Sequence, residues 1–264
     1  MLDIKEISKT FNPGTINEKV ALNALSIHLN PGDFVTVIGG NGAGKSTLLN
    51  AIAGVWPVDE GSIVLDGEDI TGLPEYKRAK NIGRVFQDPM MGTAPDMWVE
   101  ENLALAARRG SKRGLKWEIS KEERELYTDK LSRLGLGLES RMKVKVGMLS
   151  GGQRQALTLF MATLKKPKLL LLDEHTAALD PGTAAKVLEL SDSLVEENNL
   201  TTLMITHNMT DAIRHGNRLI MMNEGRIILD ISGEAKKHLT KSELLEKFSE
   251  IAGKQEETDS VLLS

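Results

Sequence analysis

Eight residues, Gly39-Gly40-Asn41-Gly42-Ala43-Gly44-Lys45-Ser46, constrain this chain more than any other stretch. They satisfy G-x-x-x-x-G-K-[ST] and stand between an apolar run, Phe34 to Ile38, and a segment from Lys45 to Ala53 with helical spacing at Leu48, Leu49 and Ile52 that Gly54 stops. A strand, a glycine loop and a helix in that order make a phosphate cradle. The glycines let successive backbone N–H groups turn toward phosphate oxygens, and the helix N-terminus adds local positive potential. On this reading Lys45 reaches the β- and γ-phosphates of a nucleotide, Ser46 binds Mg²⁺ and Thr47 lies near the α-phosphate. A dinucleotide-binding fingerprint, which needs an acidic ribose reader about twenty residues further on, fits less well.

A second stretch, Leu169-Leu170-Leu171-Leu172-Asp173-Glu174, reads as an apolar strand ending in two acids. Such a strand is buried, and its carboxyl end opens into the crevice where ligands bind in α/β sheets. Asp173 then has the placement of an aspartate that holds Mg²⁺ through water, and Glu174 is positioned to polarise an attacking water. A third stretch, Leu149-Ser150-Gly151-Gly152-Gln153-Arg154-Gln155, heads an amphipathic helix. A serine hydroxyl, two small residues and a helix N-terminus make a second anion site, although Ser150 also suits a plain N-cap.

Around these motifs the chain alternates. Residues 2–7 and 24–29 read as half-buried strands, residues 62–70 as a hairpin across Asp66-Gly67, and Ile82 to Phe86 as a strand leading into Gln87. From Met97 to Leu134 the apolar spacing (Trp98, Leu103, Leu105, Leu126, Leu131, Leu134) fits helices flanking a basic loop, Arg108 to Lys116, which implies a helical subdomain set into an α/β core. Helices at 152–165 and 183–197, strands at Leu169 to Leu172 and Leu203 to Thr206, a hairpin at Glu224-Gly225 and a closing helix at 241–252 complete the reading. A chain of 264 residues with 41% hydrophobic and 27% charged residues is neither disordered nor fibrous. Its formal charge of −4 argues against general binding to nucleic acid. The lack of cysteine excludes disulfides and thiolate metal sites. The opening MLDIKEISKT lacks the apolar core of a secretory signal, and no run is long enough to span a membrane. A cytosolic chain is expected, with any membrane-spanning supplied by a partner.

The series LSGGQRQ, LLLLDE and AALD, in that order after the glycine loop, resembles the signature, Walker B and D-loop of ATP-binding-cassette ATPases, across essentially the whole chain. The resemblance implies a P-loop NTPase with an α/β core, an antiparallel β subdomain and an inserted helical subdomain at residues 88–165, forming one domain over 1–252; the polar GKQEETDS stretch that opens residues 253–264 reads as a flexible tail. It assigns Gln87 to the Q-loop glutamine that links Mg²⁺ and the γ-phosphate to the insertion, Asp180 to the D-loop, His207 to the switch histidine and Phe11 to the aromatic that stacks on adenine. The other histidines, His28, His175, His215 and His238, are expected at the surface. His175 stands where this family very often has proline, a variant similar to that of importers for tryptophan, tyrosine and branched-chain amino acids. The Met90, Met91, Met97 and Trp98 cluster suits either core filling or, by resemblance, the cleft that receives a membrane subunit.

The implied protein is an ATPase that binds ATP and Mg²⁺ and dimerises head to tail with a second, identical chain. Gly39–Thr47 of one chain then faces Ser150, Gly151, Gly152 and Gln153 of the other. Expected partners are integral-membrane permease subunits and an extracellular or lipoprotein solute-binding protein, at the cytoplasmic face of the membrane, with a small solute such as an aromatic or hydrophobic amino acid as cargo. An export- or division-type cassette and a soluble cassette ATPase stay open as alternatives. A non-hydrolysing scaffold is disfavoured by Glu174 and His207.

Overall fold

The computed structural model describes residues 1–111 and 119–252. Part of the basic loop at Arg108 to Lys116, and the expected tail at 253–264, lie outside the described residues. The chain forms two compact units, one built from Met1–Arg78 with the segment after Asn199, the other from Ala79–Asn198.

In the first unit, strands β1 (Leu2–Phe11), β2 (Lys19–Leu29), β4 (Glu60–Leu65) and β5 (Glu68–Asp69) make an antiparallel sheet in the order β2-β1-β4-β5. Leu2 pairs with Leu29 on one side and Leu65 on the other, so alternate apolar residues (Leu2, Ile4, Leu25, Ile27, Ile63, Leu65) go inward. The phosphate-loop strand β3 (Phe34–Gly39) belongs to a second sheet with the order β10-β9-β3-β8. It runs parallel to β8 (Thr201–Ile205) and β9 (Arg218–Asn223), while β10 (Arg226–Ser232) returns antiparallel to β9 through the Glu224-Gly225 turn. Every residue of β3 and β8 is buried, as expected of a strand covered on both faces. Helices α7 (Met209–Arg214), α8 (Glu234–Lys237) and α9 (Lys241–Ala252) accompany this sheet; Met209 and Ala212 of α7, Leu239 and Leu244 pack with Ile38, Leu219 and Met221.

Helix α1 (Lys45–Ala53) follows β3 through the glycine loop. Its rear end is held by a residue of the short helix α2 (Glu75–Arg78): buried Arg78 donates from Nη1 to the carbonyl oxygens of Ala51 (2.8 Å) and Ile52 (2.9 Å), from Nη2 to Thr71 (2.8 Å) and from Nε to Leu73 (2.7 Å). Burial lowers the pKa of this guanidinium, yet its ordinary value is so high that it stays charged. A cation at a helix C-terminus also opposes the negative end of the helix dipole.

The second unit carries strand β6 (Ile82–Val85) paired in parallel with β7 (Leu169–Asp173), and helices α3 (Val99–Ala107), α4 (Lys121–Ser132), α5 (Gly151–Thr163) and α6 (Pro181–Asn198). Val99 and Leu103 of α3, Tyr127 and Leu131 of α4, and Leu157 and Phe160 of α5 share one apolar cluster. Ser120 and Ser150 each head a helix in a capping box, with Glu123 and Gln153 as the reciprocal partners. Leu105 and Leu126 face solvent, so α4 is seated by Tyr127 and Leu131 alone of its residues that are fully buried.

Candidate nucleotide-binding and hydrolysis site

The phosphate loop is shaped by close approach. Gly39 has φ 151° and Gly44 has φ 99°; a side chain at Gly39 would collide with the Met222 carbonyl oxygen of β9, and one at Gly44 with the Ala21 carbonyl oxygen of β2. Only glycine satisfies both the left-handed backbone and the missing space. Gly44 is also the N-cap of α1 and offers no side-chain cap, which leaves the first-turn N–H groups able to meet an anion. Asn41 and Gly42 are exposed at the crest of the loop, whereas Ala43 and Thr47 are buried and Ser46 is exposed. Lys45 folds back inside the loop, 8% exposed, with Nζ donating to the carbonyl oxygens of Gly39 (2.6 Å) and Gly40 (3.0 Å).

His207 shares this end of the sheet. Val37 of β3 is level with Ile205 of β8, so Gly39 and His207 each emerge two residues beyond that pair, at the same carboxyl edge. Behind His207, the Asn208 side chain caps α7 by accepting from the N–H groups of Thr210 (2.9 Å) and Asp211 (3.3 Å). Phe11, half-buried at the end of β1, meets the Trp56 ring edge to face at 4.9 Å. Lys9 Nζ is 5.8 Å from the Phe11 ring centre and is paired with Asp59 at 2.7 Å. That bond, with a second from the Thr10 N–H, holds the Asp59 carboxyl below its ordinary range.

The second unit repeats the edge geometry. Val85 of β6 is level with Leu172 of β7, so Gln87 and Glu174 emerge together at the carboxyl ends of adjacent strands. Asp173 and Glu174 are partly buried and Gln87 is exposed. Glu174 has φ 43°. Two residues that the sequence reading passed over bear on these positions. Arg84 of β6 lies over the Phe86 ring at 4.5 Å and its Nη2 stands 3.4 Å from Asp173 Oδ2. Gln155, 1% exposed on α5, donates from Nε2 to the Phe86 carbonyl oxygen at 3.2 Å, just before Gln87. A charge inside an otherwise apolar strand was the visible signal for Arg84; Gln155 gave none, because its partner is 69 positions away.

Ser150 is an exposed cap: its Oγ accepts from the Gln153 N–H at 3.3 Å, and Gln153 Oε1 accepts from the Ser150 N–H at 3.3 Å. Gly152 is buried and must stay glycine, since a Cβ there would strike the Thr183 methyl group, and Gly151 faces Leu179. The start of α5 therefore sits against the start of α6. There Asp180 accepts from the Thr183 N–H at 3.0 Å, and its bonds to Thr183 lower the Asp180 pKa. Met90 (38% exposed), Met91 (69%) and Trp98 (41%) face solvent, which removes core filling as their role; Met97 is half-buried. Two expected surface histidines are not at the surface: His175 is 2% exposed and His215 is 5% exposed, each drawn in by tertiary packing that a local pattern does not encode.

Ser46 hydroxyl, Gln87 amide and Asp173 carboxylate are hard oxygen donors of the kind Mg²⁺ prefers. Among the described residues no group of three or more His, Cys, Asp or Glu could hold a metal ion by itself. Donors of this kind suit an ion that takes most of its coordination from phosphate oxygens and water.

The family model described as ABC transporter matches residues 22–177, more than half of the chain. The chain belongs to the ABC transporter family. It is 49% identical over 253 residues to the tyrosine transport ATP-binding protein of Clostridioides difficile (strain R20291), covering 94% of this chain and 98% of that protein. It is 33% identical over 230 residues to the spermidine/putrescine import ATP-binding protein PotA of Haemophilus influenzae (strain ATCC 51907 / DSM 11121 / KW20 / Rd); that match covers 87% of this chain but only 57% of the relative's length. Among solved structures, the dimeric ATP-binding cassette MJ0796, bound to ADP and Pi in a post-hydrolysis state, matches with a TM-score of 0.74 at 30% identity, over 88% of this chain and 98% of that one. The ABC transporter chain thus has the P-loop NTPase cassette fold, binds nucleotide and hydrolyses ATP in a reaction coupled to transport. No helix among its described residues is long and apolar enough to cross a membrane.

Proposed function

We propose that the chain is the ATPase of an importer for an aromatic amino acid, tyrosine foremost, acting at the cytoplasmic face of a membrane beneath permease subunits that a solute-binding protein supplies. The observation that carries the nucleotide chemistry is the Lys45 ammonium, held among the carbonyls of Gly39 and Gly40 at the head of a helix with no side-chain cap. The choice of solute is supported by the near full-length likeness to a tyrosine transport ATP-binding protein.

In this reading residues 1–252 act as one cassette, with residues 88–165 as the helical insertion. Gly39–Thr47 wraps the phosphates, Lys45 neutralises the β- and γ-phosphoryl oxygens and Phe11 stacks on adenine. Ser46, Gln87 and Asp173 would hold Mg²⁺, which supplies charge neutralisation on the β- and γ-phosphates. Glu174 accepts a hydrogen bond from the attacking water and turns its lone pair in line with the γ-phosphorus, while His207 donates toward the γ-phosphoryl oxygens. Two identical chains pair head to tail, so that Ser150 to Gln153 of one completes the γ-phosphate shell of the other and Asp180 lies at the seam. The exposed Met90, Met91 and Trp98 receive the permease, since flexible apolar side chains can follow a moving partner.

The test is uptake into vesicles that carry the chain with its permease subunits, with ATP on the cassette side and the binding protein on the other. Labelled tyrosine should accumulate and be displaced by excess unlabelled tyrosine, but not by spermidine or methionine. Accumulation of either of the latter in its place would overturn the solute assignment; ATP-dependent extrusion would overturn the direction.

A further inference from the structure

The hydrolysis scheme makes no use of one deeply buried polar pair in the second unit. His175 is 2% exposed and Ser191, on α6, is 1% exposed. His175 Nε2 lies 2.9 Å from Ser191 Oγ, and the same hydroxyl donates to the Val187 carbonyl oxygen at 2.8 Å, one turn back in the helix. A serine has one hydroxyl proton. With that proton directed at Val187, the bond to His175 draws its proton from Nε2 and holds the ring's orientation.

The residue immediately before His175 is Glu174, whose φ of 43° lies in the left-handed region that a side-chain-bearing residue seldom adopts. Such a conformation persists only where its surroundings over-determine it. Here the Ala177 N–H donates to the Glu174 carbonyl oxygen at 3.0 Å, closing a turn with His175 inside it. At the far end of the same segment Asp180 is tied to Thr183 at the start of α6. The stretch from Glu174 to Asp180 is therefore pinned to one helix at two places, through Asp180 near the start of α6 and through His175 at Ser191 further along.

We propose that the His175–Ser191 hydrogen bond is a positioning element that keeps Glu174 in its left-handed conformation and its carboxylate aimed at the attacking water. The proposal rests on the reading of Glu174 as the residue that orients that water. If the ring lets go, the backbone at Glu174 relaxes to a commoner φ and carries the carboxylate off line, without touching the groups that bind ATP. A displacement of about 1 Å is enough to cost one to two orders of magnitude in rate.

The experiment is a kinetic cycle on the purified full chain with Ser191→Ala, Glu174→Gln and the double variant, together with ATP affinity and melting temperature. Ser191→Ala should lower kcat roughly tenfold with KM for ATP within twofold of wild type, and Ser191→Thr, which keeps the hydroxyl, should restore kcat. In the Glu174→Gln background Ser191→Ala should remove nothing further from the residual rate, an outcome that a general loosening of the fold would not give. If Ser191→Ala does not fold, His175→Leu against His175→Gln makes the same comparison, because the glutamine amide nitrogen reaches the place of Nε2. An unchanged kcat in Ser191→Ala, or an equal loss in the presence and absence of Glu174, overturns the positioning role. A wild-type rate in Glu174→Gln alone overturns instead the assignment of Glu174, and the proposal falls with it.

Discussion

The ring of Trp56 meets the ring of Phe11 edge to face, 4.9 Å between centres and 80° between planes. Phe11 is braced by a neighbour as well as by its strand, and under the proposed stacking on adenine the pair would serve as an optical reporter of nucleotide binding. Of the chain's three tryptophans, Trp98 and Trp117 can be replaced by phenylalanine to leave Trp56 as the sole emitter. ATP should then change the Trp56 emission. Phe11→Ala should abolish that change and weaken ATP binding by about 1–3 kcal/mol, the usual worth of a base stacked on an aromatic ring. A full-strength signal in Phe11→Ala would show that adenine sits elsewhere.

Lys45→Ala should abolish tight ATP binding, because it removes the main cation from the phosphate cradle and with it the bonds to Gly39 and Gly40. Titration of a fluorescent ATP analogue reads this directly, and a circular dichroism melt confirms that the loop's loss of the lysine has not unfolded the chain. An unchanged affinity would discard the phosphate-loop assignment.

Truncating both exposed methionines, Met90→Ala with Met91→Ala, should leave basal ATP hydrolysis nearly intact while weakening assembly with the permease. Solvent-facing side chains contribute little to the core, so the melting temperature should move by less than a few degrees. Co-purification from detergent measures the assembly. Normal assembly would place the permease contact on another surface.

A shared site imposes a complementation pattern that a self-contained one cannot produce. Ser150→Arg should bind ATP yet fail to hydrolyse it, because a bulky cation replaces the cap at the head of α5 where the partner's γ-phosphate would dock. Lys45→Ala should fail for want of bound ATP. In a mixed dimer the intact loop of one chain faces the intact α5 start of the other, so one whole site returns and single-turnover hydrolysis should recover in part. Cross-linked heterodimers with no recovery, and with no ATP trapped when Glu174→Gln is added, would argue that each chain uses its own Ser150.

The parts legible in the sequence were those whose physics is local. Helix α1 begins at Lys45 and stops at Gly54 because glycines bound it, and the turns at Asp66-Gly67 and Glu224-Gly225 fall where residues with positive φ are needed. Helix α6 begins at Pro181, two residues earlier than its apolar spacing suggests, since proline is favoured in the first helical turn. Strand β8 likewise begins at Thr201, where two buried threonines hide the strand's start behind polar letters. His175 was illegible for a different reason. Its burial depends on Ser191, sixteen residues away on α6, and nothing near His175 in the sequence announces that partner. Exposed Leu105 and Leu126 show the converse, apolar letters at helical spacing that the packing leaves outside.

The four carbonyls gathered by Arg78 belong to two separate stretches of chain, Ala51 and Ile52 at the end of α1 and Thr71 and Leu73 before α2. Losing the guanidinium would take a donor from all of them at once, with Ala51 alone keeping a second bond from the Gly54 N–H, and a lysine, with one nitrogen, cannot span the set. The damage would surface at the other end of α1, about 13 Å away for a helix of this length, as a cradle that no longer meets its phosphates squarely. A screen that sorts substitutions by lost activity would therefore file Arg78 beside Lys45 as a nucleotide ligand. Only a measurement of stability would tell the mooring from the hand that grips.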